Sequence, residues 1–219
     1  MNILFTICGR AGSKGIKNNN IRDFAGKPLP YYTISAIDLF LKRTALDVQS
    51  DIVINSDSPN LLNMMERNPM RMVHRIERDE SLAGDTIGKT AVIQDCRVSM
   101  EQRQQKTYDM VVDLDITSPL RTVQDMENLI RKHVETGADV TTSVTTARRN
   151  PYFNQVMKTE KGYKKVIASN FTARQQAPEI FDMNASLYAY KPQFLRSGKG
   201  VLDGYCECIE MYDTGILDL

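Results

Sequence analysis

The sequence lacks the features that mark several common classes of protein. It has no apolar run long enough to span a bilayer and no signal-peptide pattern. The 28 Lys and Arg residues nearly balance 27 Asp and Glu residues, so no overall basic charge favours nonspecific binding to nucleic acid. Only 2 histidines occur and the 4 cysteines form no C-x-x-C pairs, which argues against a zinc site. We therefore expect a cytoplasmic protein that binds neither membranes nor nucleic acids.

The first fifteen residues combine an apolar strand with a glycine-rich basic loop. Residues Asn2–Cys8 include no charged side chain, as expected of a strand buried on both faces of a parallel sheet. The next seven residues carry a glycine at every third position, together with Arg10, Ser13 and Lys14. Glycines let backbone N–H groups approach a ligand, and the cations favour a phosphate. The spacing matches neither the dinucleotide motif nor the P-loop, so a phosphate-binding loop and a solvated turn are both open.

Predicted strands and helices alternate along most of the remaining chain. Strands are predicted at 51–55, 70–74, 109–115, 139–144, 185–191 and 206–211. Helices are predicted at 31–41, 58–67, 86–100 and 123–135. This order indicates an α/β fold with an open, mostly parallel, Rossmann-like sheet flanked by helices.

Polar residues follow each of the first four predicted strands. Besides Arg10, Ser13 and Lys14, these are Ser56, Asp57, the loop 78–86, Asp115, Thr117, Ser118 and Arg121. In an open α/β sheet the ligand binds beyond the carboxyl ends of the strands, so we expect these residues to gather at one edge. Simpler roles remain open for some of them. Asp57 and Asp85 would serve equally as helix caps, and Arg121 as the partner of a nearby carboxylate.

The segment 147–181 departs from the alternation. It begins with a basic and aromatic stretch, continues with a predicted hairpin at 156–167, and includes the polar stretch 172–178. Excursions of this length between strands of one sheet usually form a lid or an oligomer contact.

Seven short motifs occur in an order that is found together in one family. They are C-G-R-A-G-S-K-G-I-K-N-N-N-I-R, S-D-S, L-A-G-D-T, T-S-P-L-R, N-P-Y-F-N, A-R-Q-Q-A-P and M-N-A-S-L-Y-A-Y. In these motifs the chain resembles the acylneuraminate cytidylyltransferases, or CMP-sialic acid synthetases, and most of all the branch that uses legionaminic acid. The resemblance implies a single nucleotidyltransferase domain, 1–219, with an inserted dimerisation segment at 147–181. It also implies transfer of CMP from CTP to the anomeric hydroxyl of a nonulosonic acid, with Mg²⁺ and release of pyrophosphate.

The resemblance also implies roles for individual residues. Nucleotide-binding positions would be Gly9, Arg10, Ala11, Gly12, Ser13, Lys14, Asn20, Arg78, Gly84, Asp85 and Thr86. Sugar-binding positions would be Asp115, Ser118, Arg174, Gln175, Asn184 and Tyr188, with Arg174 able to reach across a homodimer. Arg10, Lys14 and Asp218 would be catalytic, and Asp218 would be the Mg²⁺ ligand.

The chain departs from the family pattern at three places. Asn19 stands where the family commonly has lysine, and Asp115 where many members have glutamine. A carboxylate at 115 could select the sugar, which we favour, bind metal, or cap the strand. The family's D-x-D motif is represented only by Asp218, next to the last residue, so the metal site is expected to be incomplete. Two other functions therefore stay open beside transfer of CMP to a nonulosonic acid. They are a 3-deoxy-manno-octulosonate-type cytidylyltransferase and a nucleotide-sugar-binding module without turnover.

Overall fold

A computed structural model describes residues 1–11, 19–84 and 87–212. Its strands, in chain order, are β1 Asn2–Cys8, β2 Asp23–Phe24, β3 Lys27–Pro28, β4 Gln49–Ser56, β5 His74–Glu77, β6 Met110–Leu114, β7 Val140–Thr146, β8 Val156–Thr159, β9 Gly162–Lys165, β10 Phe181–Tyr190 and β11 Cys206–Glu210. The helices are α1 Leu29–Arg43, α2 Pro59–Glu66, α3 Lys89–Gln104, α4 Val123–Thr136 and α5 Pro192–Arg196.

Seven of the strands form one sheet, in the order β11-β7-β10-β6-β1-β4-β5. The pairs of β1 with β4 and β6, of β4 with β5, and of β7 with β11 are parallel. Strand β10 runs antiparallel between β6 and β7. The other strands form two short hairpins, β2 with β3 and β8 with β9. The predicted open, mostly parallel α/β sheet is thus confirmed, and β1, β4 and β6 bring their carboxyl ends to the same edge.

Strand β1 shows why the sheet has a core on each face. Its side chains alternate between faces, so Phe5 packs into one apolar cluster and Leu4 into the other. The first cluster includes residues of α1, α2 and α4, and the second includes residues of α3 and α5. Both Phe5 and Leu4 are fully buried. Burying each such side chain contributes about 1.5–3 kcal/mol, so an uncharged β1 is a requirement of its central position.

The third predicted strand is placed too early in the chain. The predicted range was 70–74, whereas β5 begins at His74. Asn68 explains the difference, because its Oδ1 accepts hydrogen bonds from the backbone N–H groups of Met70 and Arg71, each at 3.0 Å. An asparagine that bonds to the backbone two or three residues ahead favours a turn over a strand. The apolar residues at 70–73 therefore lie in the connection before β5.

Strand β10 is longer than the predicted range 185–191, because it begins at Phe181. The pairing of β10 with β7 shifts register between Met183 and Tyr188, and Ala185 within this interval has a φ of +54°. A positive φ is costly for alanine and interrupts the two-residue alternation of side chains. That interruption hides the first half of the strand from a search for periodicity.

Candidate functional site

The start of the first loop is held against the end of β4. The backbone N–H of Gly9 donates to the carbonyl oxygen of Asn55 at 3.2 Å. Two residues later, the N–H of Ala11 donates to the carboxylate of Asp57 at 2.6 Å. The cap of α2 is Ser58, whose hydroxyl accepts from the backbone N–H of Leu61. Asp57 therefore acts as an anchor for the loop, and the alternative role of helix cap belongs to its neighbour.

Gly9 occupies a position where no side chain fits. A Cβ atom there would lie 2.5 Å from Cδ2 of Leu61 and 2.9 Å from Cδ1 of Ile116. The Asn20 side chain closes the same corner, because its Nδ2 donates to the carbonyl oxygen of Arg10 at 3.1 Å. These contacts bring the predicted nucleotide-binding residues Gly9, Arg10, Ala11 and Asn20 together at the carboxyl end of β1. The predicted residues Gly12, Ser13 and Lys14 lie outside the described residues.

Arg78 lies at the same edge as Gly9. Its backbone N–H donates to the carbonyl oxygen of Ser56 at 2.9 Å, which continues the pairing of β5 with β4. Its guanidinium donates through Nε to Oδ1 of Asn55 at 2.8 Å and through Nη2 to the carbonyl oxygen of Asn55 at 3.1 Å. Two predicted nucleotide-binding positions, 9 and 78, thus share one backbone carbonyl. In the loop that follows, Gly84 is exposed, whereas Asp85 and Thr86 are outside the described part of the chain.

A second polar group, centred on Lys89, lies at the carboxyl end of β6. Its Nζ lies 2.7 Å from Oδ2 of Asp113 and 2.7 Å from Oδ2 of Asp115. Asp113 is fully buried, and its Oδ1 accepts a hydrogen bond from the hydroxyl of Thr6 at 2.8 Å. Sequence reasoning missed Lys89 and Asp113. A single lysine at a helix start and an aspartate inside an apolar strand give no signal until the fold brings them together.

The carboxylate of Asp115 and the ammonium of Lys89 shift each other's pKa. Burial tends to raise the pKa of Asp115, but the charge and hydrogen bond of Lys89, with hydrogen bonds from Thr117, outweigh it and lower that pKa to about 2. Burial opposes the charge of Lys89, yet the charges of Asp113 and Asp115 prevail and raise its pKa well above the usual value. Asp115 is therefore an ionised carboxylate with a fixed orientation, since its Oδ1 also accepts the N–H and hydroxyl of Thr117.

Arg121 stabilises the same edge of the sheet through several hydrogen bonds. Its buried guanidinium donates to the backbone carbonyl of Asp115, and to the hydroxyls of Thr33 and Ser186 at 3.3 Å each. Burial lowers the pKa of Arg121 to about 10, against the opposing charge of Asp115. Its hydrogen bonds are made to a backbone carbonyl and to hydroxyls. Arg121 therefore does more than pair with a nearby carboxylate, the simpler role left open by the sequence.

Three of the predicted sugar-binding residues lie near Asp115, either along the chain or on the neighbouring strand β10. Ser118 and Asn184 are buried, and their Oγ and Nδ2 atoms have no hydrogen-bond partner among the described residues. Asn184 is held through Oδ1, which accepts the hydroxyl of Ser143 at 2.6 Å. The ring of Tyr188, whose residue pairs with Asp113 across the sheet, lies 6.0 Å from the ammonium of Lys89. Buried polar atoms without partners are costly, so the hydroxyl of Ser118 and the amide of Asn184 carry unused hydrogen-bonding capacity.

Arg174 and Gln175 lie in a different part of the fold. They form an exposed 3-10 turn, Arg174–Gln176, inside the segment 147–181. Both line a cleft of about 310 Å³ together with Arg149 and Asn150. Within the described residues, the lining of this cleft includes neither Asp115 nor Tyr188.

The predicted metal ligand is beyond what the structure describes. Asp218 lies in the range 213–219, outside the described residues. Among residues 1–11, 19–84 and 87–212, no three His, Cys, Asp or Glu side chains are grouped as a metal site. No helix in the described part of the chain is long and apolar enough to cross a membrane.

Comparison with known proteins assigns the chain to a family. A family model described as cytidylyltransferase matches residues 4–208. The chain belongs to the cytidylyltransferase family. This cytidylyltransferase is 33% identical over 199 residues to "Post-translational flagellin modification protein B" of Campylobacter coli, covering 91% of the chain and 81% of that protein. The same identity and coverage hold for "CMP-N,N'-diacetyllegionaminic acid synthase" of Campylobacter jejuni.

A solved structure with a similar fold is that of CMP:2-keto-3-deoxy-manno-octonic acid synthetase complexed with CTP. It has a TM-score of 0.64 and 13% identity, and the match covers 96% of the cytidylyltransferase and 90% of that chain. At this identity the likeness concerns the fold alone. The predicted nucleotidyltransferase fold, family and enzyme class are thus confirmed.

Proposed function

We propose that this cytidylyltransferase transfers CMP from CTP to the anomeric hydroxyl of a nonulosonic acid of the sialic or legionaminic type. The observation that carries the proposal is the shared edge, where the loop at Gly9 and the guanidinium of Arg78 both bond to Asn55. Ligands of open α/β sheets bind at such an edge. The match to the cytidylyltransferase family supports CTP as the nucleotide, and the relative named CMP-N,N'-diacetyllegionaminic acid synthase supports a nonulosonic acid as the acceptor.

The reaction forms one bond and breaks another. The anomeric oxygen attacks the α-phosphorus of CTP, the bond from that phosphorus to the bridging oxygen breaks, and pyrophosphate leaves while the hydroxyl proton passes to solvent. Such transfers depend mainly on positioning and on neutralising phosphate charge. Arg10 and Lys14 are proposed to supply cationic contacts to the phosphates. Gly9, Ala11, Gly12 and Ser13 are proposed to bring their backbone N–H groups close to the phosphates. Asn20, Arg78, Gly84, Asp85 and Thr86 are proposed to hold the remaining nucleotide.

We infer Mg²⁺ as the metal, with Asp218 as a ligand. Mg²⁺ is commonly bound through one or two carboxylates, with phosphate oxygens of the substrate and water completing its shell. When bound, it would withdraw charge from the α-phosphate. Asp115 is a described carboxylate at the same edge. Because its Oδ2 pairs with Lys89 and its Oδ1 with Thr117, we assign Asp115 to positioning of the sugar in preference to the metal.

The sugar is proposed to meet Asp115, Ser118, Asn184 and Tyr188. The partly exposed carboxylate of Asp115 supports this assignment, because hydroxyl or amide groups of the sugar could donate hydrogen bonds to it. The acceptor also carries a carboxylate, which requires a cation or amide donors. Arg174 and Gln175 are the proposed source.

We propose that 147–181 is a dimerisation segment within one domain spanning 1–219, and that Arg174 serves the partner's sugar site. The hairpin β8–β9 presents Val156, Met157, Tyr163 and Val166 to solvent, with Tyr163 72% exposed. These apolar side chains lie on both faces of the hairpin, and exposed apolar surface of this kind commonly marks an interface. Sedimentation velocity of the full chain measures this directly, and a single monomeric species at tens of micromolar protein would contradict it.

A cytoplasmic location without nucleic-acid or membrane partners fits this function. Within the described residues, Cys8, Cys96, Cys206 and Cys208 are all free thiols. Free thiols are typical of a reducing compartment, in which nucleotide triphosphates are also made.

The decisive experiment is a turnover assay. The full chain is incubated with CTP, Mg²⁺ and in turn sialic, legionaminic or 3-deoxy-manno-octulosonic acid, and pyrophosphate release is measured. We expect turnover with the first or second sugar. Lys14→Ala should nearly abolish it, whereas Lys199→Ala, at an exposed position after α5, should leave it unchanged. Turnover only with the octulosonic acid would replace the proposed substrate, and CTP binding without turnover would reduce the protein to a binding module.

A further inference from the structure

Every side-chain polar atom of Asn55 is used, and its carbonyl is used twice. The residue is fully buried near the carboxyl end of β4. Its carbonyl accepts from the N–H of Gly9 at 3.2 Å and from Nη2 of Arg78 at 3.1 Å. Its Oδ1 accepts from Nε of Arg78 at 2.8 Å, and its Nδ2 donates to Oδ2 of Asp95 in α3 at 3.2 Å. One residue thus joins the first loop, the arginine after β5 and helix α3.

We propose that Asn55 is a positioning residue for the nucleotide, which fixes Arg78 relative to the backbone of the first loop. The inference rests on the proposed function, because it takes Arg78 to contact CTP. Asn55 itself is buried and is not proposed to touch the substrate. Its effect passes through the guanidinium, which is held at two nitrogens by two oxygens of a single residue.

Asparagine has the chemistry that this position requires. The amide must accept from Arg78 on one side and donate to Asp95 on the other. Leucine would provide neither group, and aspartate would place a second carboxylate opposite Asp95. A two-point contact restricts a guanidinium more than a single bond does, so it lowers the entropy that Arg78 loses when a ligand binds. A misplaced Arg78 should therefore weaken CTP binding more than sugar binding.

A reversal of the Asn55–Asp95 hydrogen bond tests the proposal. In Asn55→Asp, two carboxylates face each other, and their repulsion should move the side chain at 55 away from Arg78. We therefore expect the CTP dissociation constant to rise about tenfold, as for loss of one charged hydrogen bond. In the double variant N55D/D95N, the new amide donates back to the new carboxylate, and Arg78 keeps its acceptors. We expect CTP affinity to return to within about threefold of the wild type, and the KM for sugar to change little in either protein.

Calorimetric titration with CTP, with the melting temperature measured alongside, gives the readout. If Asn55→Asp does not fold, Asp95→Leu replaces it, because it leaves the amide of Asn55 without an acceptor; its CTP dissociation constant should rise about threefold or more. A purely structural role would lower melting temperatures while the dissociation constant stayed at the wild-type value, and that result would overturn the inference. Absence of CTP binding by the wild type would instead overturn the proposed function, so the two failures are separable.

Discussion

Replacement of Lys89 by methionine should destabilise the protein far more than a similar change at an exposed lysine. Lys89→Met removes the ammonium that lies 2.7 Å from both Asp113 and Asp115, while the apolar stem of the side chain is largely kept. Asp113 is fully buried, and without Lys89 its Oδ2 would have no ion-pair partner among the residues that the structure describes. We expect the two carboxylates to repel each other and the free energy of unfolding to fall.

The structure sets the size of this loss. Removal of one partner from a buried ion pair costs about 3–5 kcal/mol. The side chain of Lys89 is 34% exposed, so water partly screens the carboxylates and we expect a value near the lower end, about 3 kcal/mol. Lys42→Met is the matched control. Its Nζ also lies 2.7 Å from a carboxylate, that of Asp38, but the lysine side chain is 62% exposed, so we expect a loss of at most about 1 kcal/mol.

The loss at Lys89 should also depend on pH. The pKa of Asp115 is about 2 in the folded protein, below its usual value, so the wild type retains this stabilisation above pH 4 and loses it only as pH falls through 2. Without Lys89, burial and the facing Asp113 should raise the pKa of Asp115 above its usual value. The folded variant then takes up a proton more readily than the unfolded chain. Its deficit should therefore shrink as pH falls from 7 towards 5.

Urea unfolding at pH 7 and at pH 5, followed by circular dichroism, measures both effects. The expected result is a large deficit for Lys89→Met at pH 7, a smaller one at pH 5, and a small pH-independent deficit for Lys42→Met. If the two variants lost the same free energy, or if the Lys89 deficit grew on acidification, the buried ion triad would not have the role that its geometry indicates.

Two further predictions concern the first loop and the hairpin. Gly9→Ala should cost about 1–3 kcal/mol in urea unfolding, because the new Cβ would overlap Leu61 and Ile116, whereas Gly84→Ala, with 3.4 Å to its nearest neighbour, should be almost neutral. Equal stability of the two variants would show that the corner relaxes freely. Tyr163→Lys should raise the dimer dissociation constant by about tenfold or more in sedimentation equilibrium, and Tyr163→Phe should not. An unchanged constant for the lysine variant would remove the hairpin from the interface.

The elements that sequence reasoning placed well are those whose ends and faces are fixed by their own residues. Strand β1 matches its prediction because both faces are apolar. Helix α4 begins at Val123, as predicted, because Thr122 and Asp125 cap each other's backbone N–H groups. It ends one residue beyond the predicted 135, where Gly137 adopts a φ of +59°. In contrast, β5 was misplaced because the Asn68 side chain competes for the backbone at a distance of two or three residues.

The residues of the candidate site also fall into those that the sequence predicts and those that it does not. Gly9, Arg78 and Asp115 could be predicted because each follows a strand, and the edge rule brings such residues together without knowledge of side-chain contacts. The residues that hold these side chains in place could not be predicted. Lys89 meets Asp115 across 26 residues, and Asn55 meets Asp95 across 40. Neither separation follows a helical or strand period, so the pairings appear only once the packing of α3 on the sheet is known.

Helix α3 carries both of the residues that hold the candidate site in place. Its first residue, Lys89, holds Asp115 on the proposed sugar side, and Asp95, less than two turns later, holds Asn55 on the proposed nucleotide side. A displacement of α3 relative to the sheet would therefore disturb both sides together. Because α3 packs through buried Ile93, Cys96 and Met100, its position is fixed by apolar contacts that tolerate little movement. We therefore expect substitutions in the core beneath α3 to disturb the proposed sugar and nucleotide sides together.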